Sequence, residues 1–543
     1  MLAPTAAIVH APGMRAWILG LGFGPSLVLA SFSSLLIALG APPAGWLPGH
    51  WLGFVPLLLL ARRPQVTRRE ALLLGLAGGL GIGLVGFSWI AELLVRFAGM
   101  PWPLGIAGLV LFALWMSVPY ALWALGLRLG PWRGWASYAW PAALFVSLQF
   151  SWPNLFPYTP LIGFAESPAF MQLAELGGVP LLEALVIVWA VAAAGVVMHT
   201  SRRTRIGDLA AVLLIPTLMF GYGNVRMAAL DAEAEGGRSL RVGIVQPNIP
   251  VGGMSAAERL DRLRASSAQL AGRGVEFIVW PEAGTFPYRV ARPFPGDRAL
   301  GRGRVMAQHR VPTFLGAGSI APNARYGYNS AYLLDPDGVV VGRYDKVNLV
   351  PLGESVPLLD PDWLSQRIPG IAHLEAGSGP VRFVLEGAGQ VTALGPLICY
   401  EDIIPGFVRR VAGLPGGVEL FVNATIDAWY GDTAEPWEHL ALSQFRSVEH
   451  RVPLVRSTST GVSAVVDYNG RRVSHLPLRP VEAETAHLYP PETLVADVLL
   501  PRNTEDSPTV YARWGWLFPY VCLVGVVGGS FRGFLGRRKP GSI

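Results

Sequence analysis

Apolar runs long enough, or nearly long enough, to cross about 30 Å of hydrocarbon recur up to about residue 225. They read as spans at 16–40, 46–61, 70–92, 102–128, 132–150, 178–198 and 207–224, with the second short enough to be tilted or partly interfacial. One more, "WGWLFPYVCLVGVVGGSF", lies at 514–531 and brings the expected count to about eight. The first run is long, lacks a strongly basic start and is followed by further spans, so it is not expected to be a cleaved signal. Only 15% of the 543 residues are charged, against roughly 25% in a globular chain. The charge is concentrated between about residues 225 and 510. A chain of this length and asymmetry reads as a membrane part joined to a water-exposed part.

Arginine placement gives an expected orientation. The loop "ARRPQVTRRE" (61–70) holds four arginines, "RLGPWR" (128–133) two and "SRRTR" (201–205) three, whereas 41–50 and 151–177 hold none. The tail "RGFLGRRK" (532–539) is basic again. Both termini are therefore expected in the cytoplasm, and the polar domain on the periplasmic face. The net charge of +6 rests on 41 arginines and two lysines, Lys346 and Lys539. No basic stripe with interleaved aromatics accompanies it, so no nucleic-acid partner is expected. Where arginine is the default cation, a lysine inside the polar domain stands out.

From residue 241 the pattern changes to short apolar runs alternating with helical spacing. "RVGIVQPN" (241–248) and "EFIVWPE" (276–282) read as buried strands, with the helical "SAAERLDRLRASSAQLAG" (255–272) between them. Further strands follow in "TFLGAGSI", "VTALGPLICYED", "ELFVNATID" and "PLVRSTSTGVSAVV", and "LDPDGVVV" reads as a hairpin through Asp337–Gly338. The expected layout is a bundle over 1–228, a linker over 229–240 that includes the acidic "LDAEAEGG" (230–237), an α/β domain over 241–500, and a last span with a basic tail over 501–543.

The α/β domain has one cysteine, Cys399, because Cys522 falls inside the last span. A single extracytoplasmic cysteine cannot form a disulfide within its domain. No CxxC or neighbouring Cys/His pair suggests a metal, and no metal or cofactor is expected. An inert buried thiol or a nucleophile remains, and a nucleophile needs a base and an oxyanion stabiliser. Glu282 follows the strand ending at Trp280, Lys346 follows the strand ending near Tyr344, and Cys399 ends "PLIC". Each alone has a plain reading as a surface Glu, a paired Lys or a core Cys. Together they could converge at one rim.

The order Glu–Lys–Cys in "WPE", "YDK…LVPLGE" and "ICYED" resembles the nitrilase, or carbon–nitrogen hydrolase, superfamily over about 239–500. That resemblance implies an α-β-β-α sandwich. With seven spans before and one after, and with "NATIDAWYGDTAEPWEHL…RSVEHRVPLVRSTSTGVSAVVDYNG" (423–470), the whole chain resembles the apolipoprotein N-acyltransferases. The resemblance implies acyl transfer from a phospholipid, phosphatidylethanolamine by analogy, through a Cys399 thioester to the α-amine of a diacylglyceryl-cysteine on an apolipoprotein. Glu282 would be the base, and Lys346 with the Tyr400 N–H the oxyanion donors. Glu354 would orient Lys346 or receive the amine. Tyr400 and Glu401 would shape the pocket, with a helix N-terminus the plainer reading of Glu401. Trp429 and Tyr430 would lie over a lateral opening, and the loop 357–370 either over that opening or as a plain surface loop. Asp402 reads better as an acidic residue at the N-terminus of a short helix over "IIPGFVRRVAG". The bilayer is an expected partner and a monomer the expected state. A tethered amidase acting on water, or a transporter or scaffold with an inactive domain, are the alternatives.

Overall fold

The computed structural model describes residues 13–130, 134–351, 353–355, 363, 373–387, 390–479, 481–500 and 503–536. The 357–370 loop, apart from Trp363, and the arginines and lysine of the tail from 537 onward lie outside the described residues.

Among the described residues, five helices are long and apolar enough to cross a membrane: Phe23–Gly40, Arg68–Gly86, Trp102–Leu129, Ala174–Met198 and Arg202–Ala234. The remaining expected spans take shorter forms. The 46–61 run folds as two short helices, Pro48–Leu52 and Val55–Ala61. The 132–150 run gives Ala136–Ser151, and the last span gives the apolar stretch Gly515–Ser530. The 16–40 run breaks into Met14–Gly20 and Phe23–Gly40. Pro25 explains that break, since its ring would collide with the carbonyl of Leu21 in a continuous helix.

Helix packing relies on small residues. A Cβ placed on Gly75 would come within 2.4 Å of the Tyr120 carbonyl oxygen, so glycine lets Arg68–Gly81 close onto Trp102–Leu129. Thr67 and Glu70 form a reciprocal N-terminal cap at the start of that helix, with Glu70 N donating to Thr67 Oγ1 and Thr67 N to Glu70 Oε2. The outward faces stay apolar: Val28, Phe32, Leu111, Leu213, Leu218, Val521 and Val524 are all exposed. Helices that are hydrophobic on every side suit a lipid solvent. After Gly81 the chain makes a π turn, Ile82–Gly86, and restarts as Trp89–Ala98. The 70–92 span thus ends earlier than its apolar run suggests. The helix Arg202–Ala234 instead runs on through most of the acidic 230–237 stretch, because Ala, Asp and Glu there sustain a helix until Gly236, at φ +72°, turns away.

The α/β part contains thirteen described strands: β1 Ser239–Gln246, β2 Phe277–Val279, β3 Val290–Ala291, β4 Thr313–Ile320, β5 Tyr328–Leu334, β6 Val340–Asp345, β7 Phe383–Gly387, β8 Gln390–Ile398, β9 Leu420–Thr425, β10 Leu454–Thr458, β11 Ala464–Val466, β12 Arg472–His475 and β13 Glu492–Leu499. They form two sheets, ordered β13-β1-β2-β4-β5-β6 with β3 beside β4, and β12-β11-β10-β9-β8-β7. Strands β1, β2 and β4 are mutually parallel, as are β8, β9 and β10. Alternation sorts the side chains. Phe277 and Val279 join the core that the two sheets share, while Ile278 and Trp280 face outward against Leu263 and Leu270 of the helix Ala256–Gly272. The helices Pro405–Ala412 and Glu435–His450 cover the second sheet, completing an α-β-β-α sandwich.

The sandwich and the bundle pack as one body. Ala441, Phe445 and Val448 of helix Glu435–His450 are buried within the bundle core. The buried Arg451 binds Glu175 at 2.9 Å and Gln172 at 2.7 Å across the junction.

Candidate active site

Strands β2 and β6 run in the same direction in the first sheet, because the pairs β4/β5 and β5/β6 are both antiparallel. Their carboxyl ends therefore share one rim and present Glu282 and Lys346 there. Cys399 sits at the carboxyl end of β8 in the facing sheet, in left-handed backbone at φ +53°. Such a conformation costs a non-glycine residue about 1–2 kcal/mol and lifts the side chain out of the strand register. The turn Cys399–Ile403 follows at once as a 3₁₀ segment, so the Tyr400 amide lies among first-turn N–H groups that no intrahelical carbonyl satisfies.

The three expected residues converge. Lys346 Nζ lies 3.3 Å from Glu282 Oε1 and 2.7 Å from Glu354 Oε2. Asn329 Nδ2 donates to both carboxylates, at 2.7 Å to Glu282 and 2.9 Å to Glu354, and Val350 N donates to Glu354 at 2.9 Å. Glu354 therefore pairs with the lysine while Asn329 and Val350 hold its carboxylate. Tyr400 donates its hydroxyl to the Leu349 carbonyl at 3.0 Å and so braces the lysine loop against the cysteine turn.

Charge states follow from burial and neighbours. Burial pushes the Glu282 carboxyl up, with Lys346 opposing and Glu354 reinforcing. Burial works to lower Lys346, but Glu354, Cys399 and Glu282 outweigh it and leave the ammonium firmly charged. Burial, then Glu282, pushes the Cys399 thiol well up, so at rest it keeps its proton. A protonated thiol beside a carboxylate with raised proton affinity is poised for proton transfer during attack, not before it.

Glu401 is fully buried, and its role differs from pocket shaping. Its carboxylate accepts from the Tyr344 hydroxyl at 2.7 Å, from Val347 N and Asn348 N at 2.9 Å, and from Ile398 N at 3.0 Å. It fastens the lysine strand to the cysteine strand from behind. Asp402 likewise departs from the helix-terminus reading. It lies in the 3₁₀ turn, before the helix Pro405–Ala412, and is ion-paired at 3.0 Å with both Arg456 and His439. An exposed helix end would leave that carboxylate hydrated; here β10 and helix Glu435–His450 close over it. Trp429 and Tyr430 lie in the turn Ala428–Tyr430 and stack edge-on against Phe97 and Trp89 of the bundle.

Sequence reasoning missed Asn329 and the Asp402–Arg456–Asp427–His439 network. A signal existed for the second: an arginine inside the apolar strand run "PLVRSTS" must find buried acidic partners. Among the described residues, Asp427, Glu435 and His439 offer metal-type ligand atoms within 4.8 Å of one another. Arg456 already occupies both Asp427 oxygens, and Asp402 holds His439 Nε2. The guanidinium supplies the positive charge that a metal ion would bring.

Residues 241–497 match the carbon-nitrogen hydrolase family, which fixes the class of the α/β domain as nitrilase-like. Residues 33–192 match the apolipoprotein N-acyltransferase N-terminal domain. Curated relatives of the same name include one from Geobacter metallireducens, 29% identical over 92% of this chain and 93% of its own. Another, from Allorhizobium ampelinum, is 32% identical over 84% and 89%, and one from Brucella melitensis is 32% identical over 85% and 90%. Solved structures similar to part of the chain include Saccharomyces cerevisiae Nit3, at 16% identity and TM-score 0.36, covering 50% of this chain and 95% of that one. An amidase from Nesterenkonia sp. shows 20% identity and TM-score 0.35, covering 51% and 94%. The chain belongs to the apolipoprotein N-acyltransferase family and is a membrane-embedded enzyme of the carbon–nitrogen hydrolase superfamily. These relatives favour neither a tethered amidase nor an inactive scaffold.

Proposed function

We propose that this chain carries out its family's acyl transfer in two half-reactions at Cys399, on the periplasmic face of the bacterial cytoplasmic membrane. In the first, Cys399 Sγ attacks the ester carbonyl of a bilayer phospholipid, and its proton passes to Glu282. Lys346 Nζ and the Tyr400 N–H receive the developing oxyanion. Collapse breaks the carbon–oxygen bond to glycerol, Glu282 returns the proton to the leaving alkoxide, and lysophospholipid departs. In the second, the α-amine of a diacylated apolipoprotein attacks the thioester. Glu282 takes the amine proton and delivers it to the departing sulfur, leaving an amide on the acceptor.

The observation that carries this reading is the contact of Lys346 with both Glu282 and Glu354 within electrostatic reach of Cys399, which the facing sheet presents. A buried ammonium held by two carboxylates keeps one compact charge aimed at the reaction centre, which a guanidinium fork would spread. The buried packing of helix Glu435–His450 into the bundle supports a site served from the bilayer. The proposed layout fits the reading as well: a bundle whose last helix runs on to Ala234, a catalytic domain over 241–500 and a last span after it. Phosphatidylethanolamine is the proposed donor and a monomer the proposed state.

The test is intact-protein mass spectrometry after incubation with phosphatidylethanolamine. An added acyl mass on Cys399, discharged by a diacylated lipopeptide amine, is expected. Cys399→Ser should show no thioester while still folding. Full transfer by that variant would end the thioester mechanism.

A further inference from the structure

Helix Trp89–Ala98 leaves the bundle after the π turn and lies against the Ala428–Tyr430 turn of the catalytic domain. Trp89 is 5% exposed, and its ring meets Tyr430 edge-on at 5.2 Å. Its Nε1 donates to Glu438 Oε2 at 3.0 Å. Glu438 is also 5% exposed, in the first turn of helix Glu435–His450. On its other side Trp89 belongs to an apolar cluster with Phe87, Phe112, Phe156 and Leu94, which Tyr430 also joins. An oily strip thus runs from the bundle to Tyr430, whose hydroxyl lies within the electrostatic reach of Cys399 and Glu282.

A carboxyl is a costly side chain to bury at the mouth of such a strip. The groups facing it are Trp89 from the bundle helix, Tyr158 from the loop before Ala174–Met198, and Glu435 on its own helix. None is a cation. Burial pushes Glu438 up to about 8, opposed only by the Trp89 bond, so the group is uncharged near neutrality. An uncharged carboxyl can anchor an indole without placing a charge beside a fatty chain.

We propose that Glu438 is a positioning residue for the acyl donor: it holds the Trp89 indole against Tyr430 and so fixes the wall along which a fatty chain reaches Cys399. The proposal rests on the acyl-transfer reading above. It acts on donor binding more than on chemistry, because Glu438 touches none of Glu282, Lys346 and Cys399 among the described contacts.

The experiment compares full-length wild type, Glu438→Gln and Glu438→Ala in detergent, with phosphatidylethanolamine as donor. Glu438→Gln keeps an uncharged acceptor and should leave the donor KM within about twofold of wild type. Glu438→Ala strands the buried indole N–H and should raise the donor KM about tenfold with kcat nearly unchanged. As pH rises through about 8, wild type should lose donor affinity relative to Glu438→Gln, because only wild type gains a charge there. Infrared spectroscopy of the same proteins should show a protonated-carboxyl band at pH 7 that Glu438→Gln lacks. The proposal fails if Glu438→Ala keeps the wild-type KM, if Gln is as poor as Ala, or if the infrared band is absent. Should Glu438→Ala not fold, the Gln pH comparison and the infrared band still decide. If wild type forms no thioester while the band is present, the acyl-transfer reading has failed and the Trp89–Glu438 contact has not.

Discussion

Lys346 concentrates the residue-scale argument. It is one of two lysines beside 41 arginines, and it is buried against two carboxylates. Lys346→Arg keeps the charge but broadens the head, so the donor should miss the oxyanion. Loss of one such donor typically slows acylation roughly a hundred- to thousandfold. Stopped-time measurement of acyl-enzyme formation checks this, and rates equal within a few fold would reduce Lys346 to a structural cation. Glu282 sets the pH dependence. Its carboxyl is raised by burial, and it must be unprotonated to accept the thiol proton. Acylation should therefore fall as pH drops through a value above that of an ordinary glutamate. A pH–rate profile with its acidic limb at the ordinary glutamate position would remove Glu282 from the role of base.

At the scale of elements, helix Glu435–His450 is anchored at its N-terminal end by charge as well as by packing. Burial and Arg456 work to lower His439, but Asp402 and Asp427 outweigh them and hold it up at about 9. A histidine raised in the folded state contributes stability that is fully present below its unfolded value, near 6.5, and is lost as pH rises through 9. Thermal stability should thus decline between about pH 6.5 and 9, and His439→Gln should flatten that slope. An unchanged slope in a folded His439→Gln variant would mean that the histidine is neutral in the folded state. The element boundaries also show what local pattern can carry. The Asp337–Gly338 hairpin was legible because Gly338 supplies φ +78° and Asp335 accepts from Asp337 N and Val339 N. The end of the second long span at Gly86 was not, because residues 87–91 stay mostly apolar beyond it.

For the whole molecule, the arginine loops predict that both ends face the cytoplasm and the sandwich the opposite side. A reporter inserted in the 235–238 connection should read periplasmic, and one fused after Lys539 cytoplasmic. The same side for both would change the span count by one. Helix Glu435–His450 is buried in the bundle core and its His439 holds Asp402 in the turn after Cys399, so detergent that loosens the bundle should also disturb that turn.

The sequence by itself determined the partition into membrane and α/β parts, because apolar length and charge density are local quantities summed along the chain. It also placed Glu282, Lys346 and Cys399 at strand ends, since a strand's end is written in a few adjacent residues. Tertiary structure alone decided which of their neighbours act. Asn329 reaches Glu282 and Glu354 only because β5 lies beside β6, and Glu401 becomes a fastener only where two sheets meet. Asp402 turned from an expected helix end into a buried ion-pair partner because β10 of its own sheet and the covering helix Glu435–His450 bring Arg456 and His439 to it. A carboxylate's role depends on which donors surround it, and donors more than fifty residues away in sequence become neighbours only through strand pairing within a sheet, as for Arg456 and Asp402, or packing between the sheets, as for Tyr344 and Glu401.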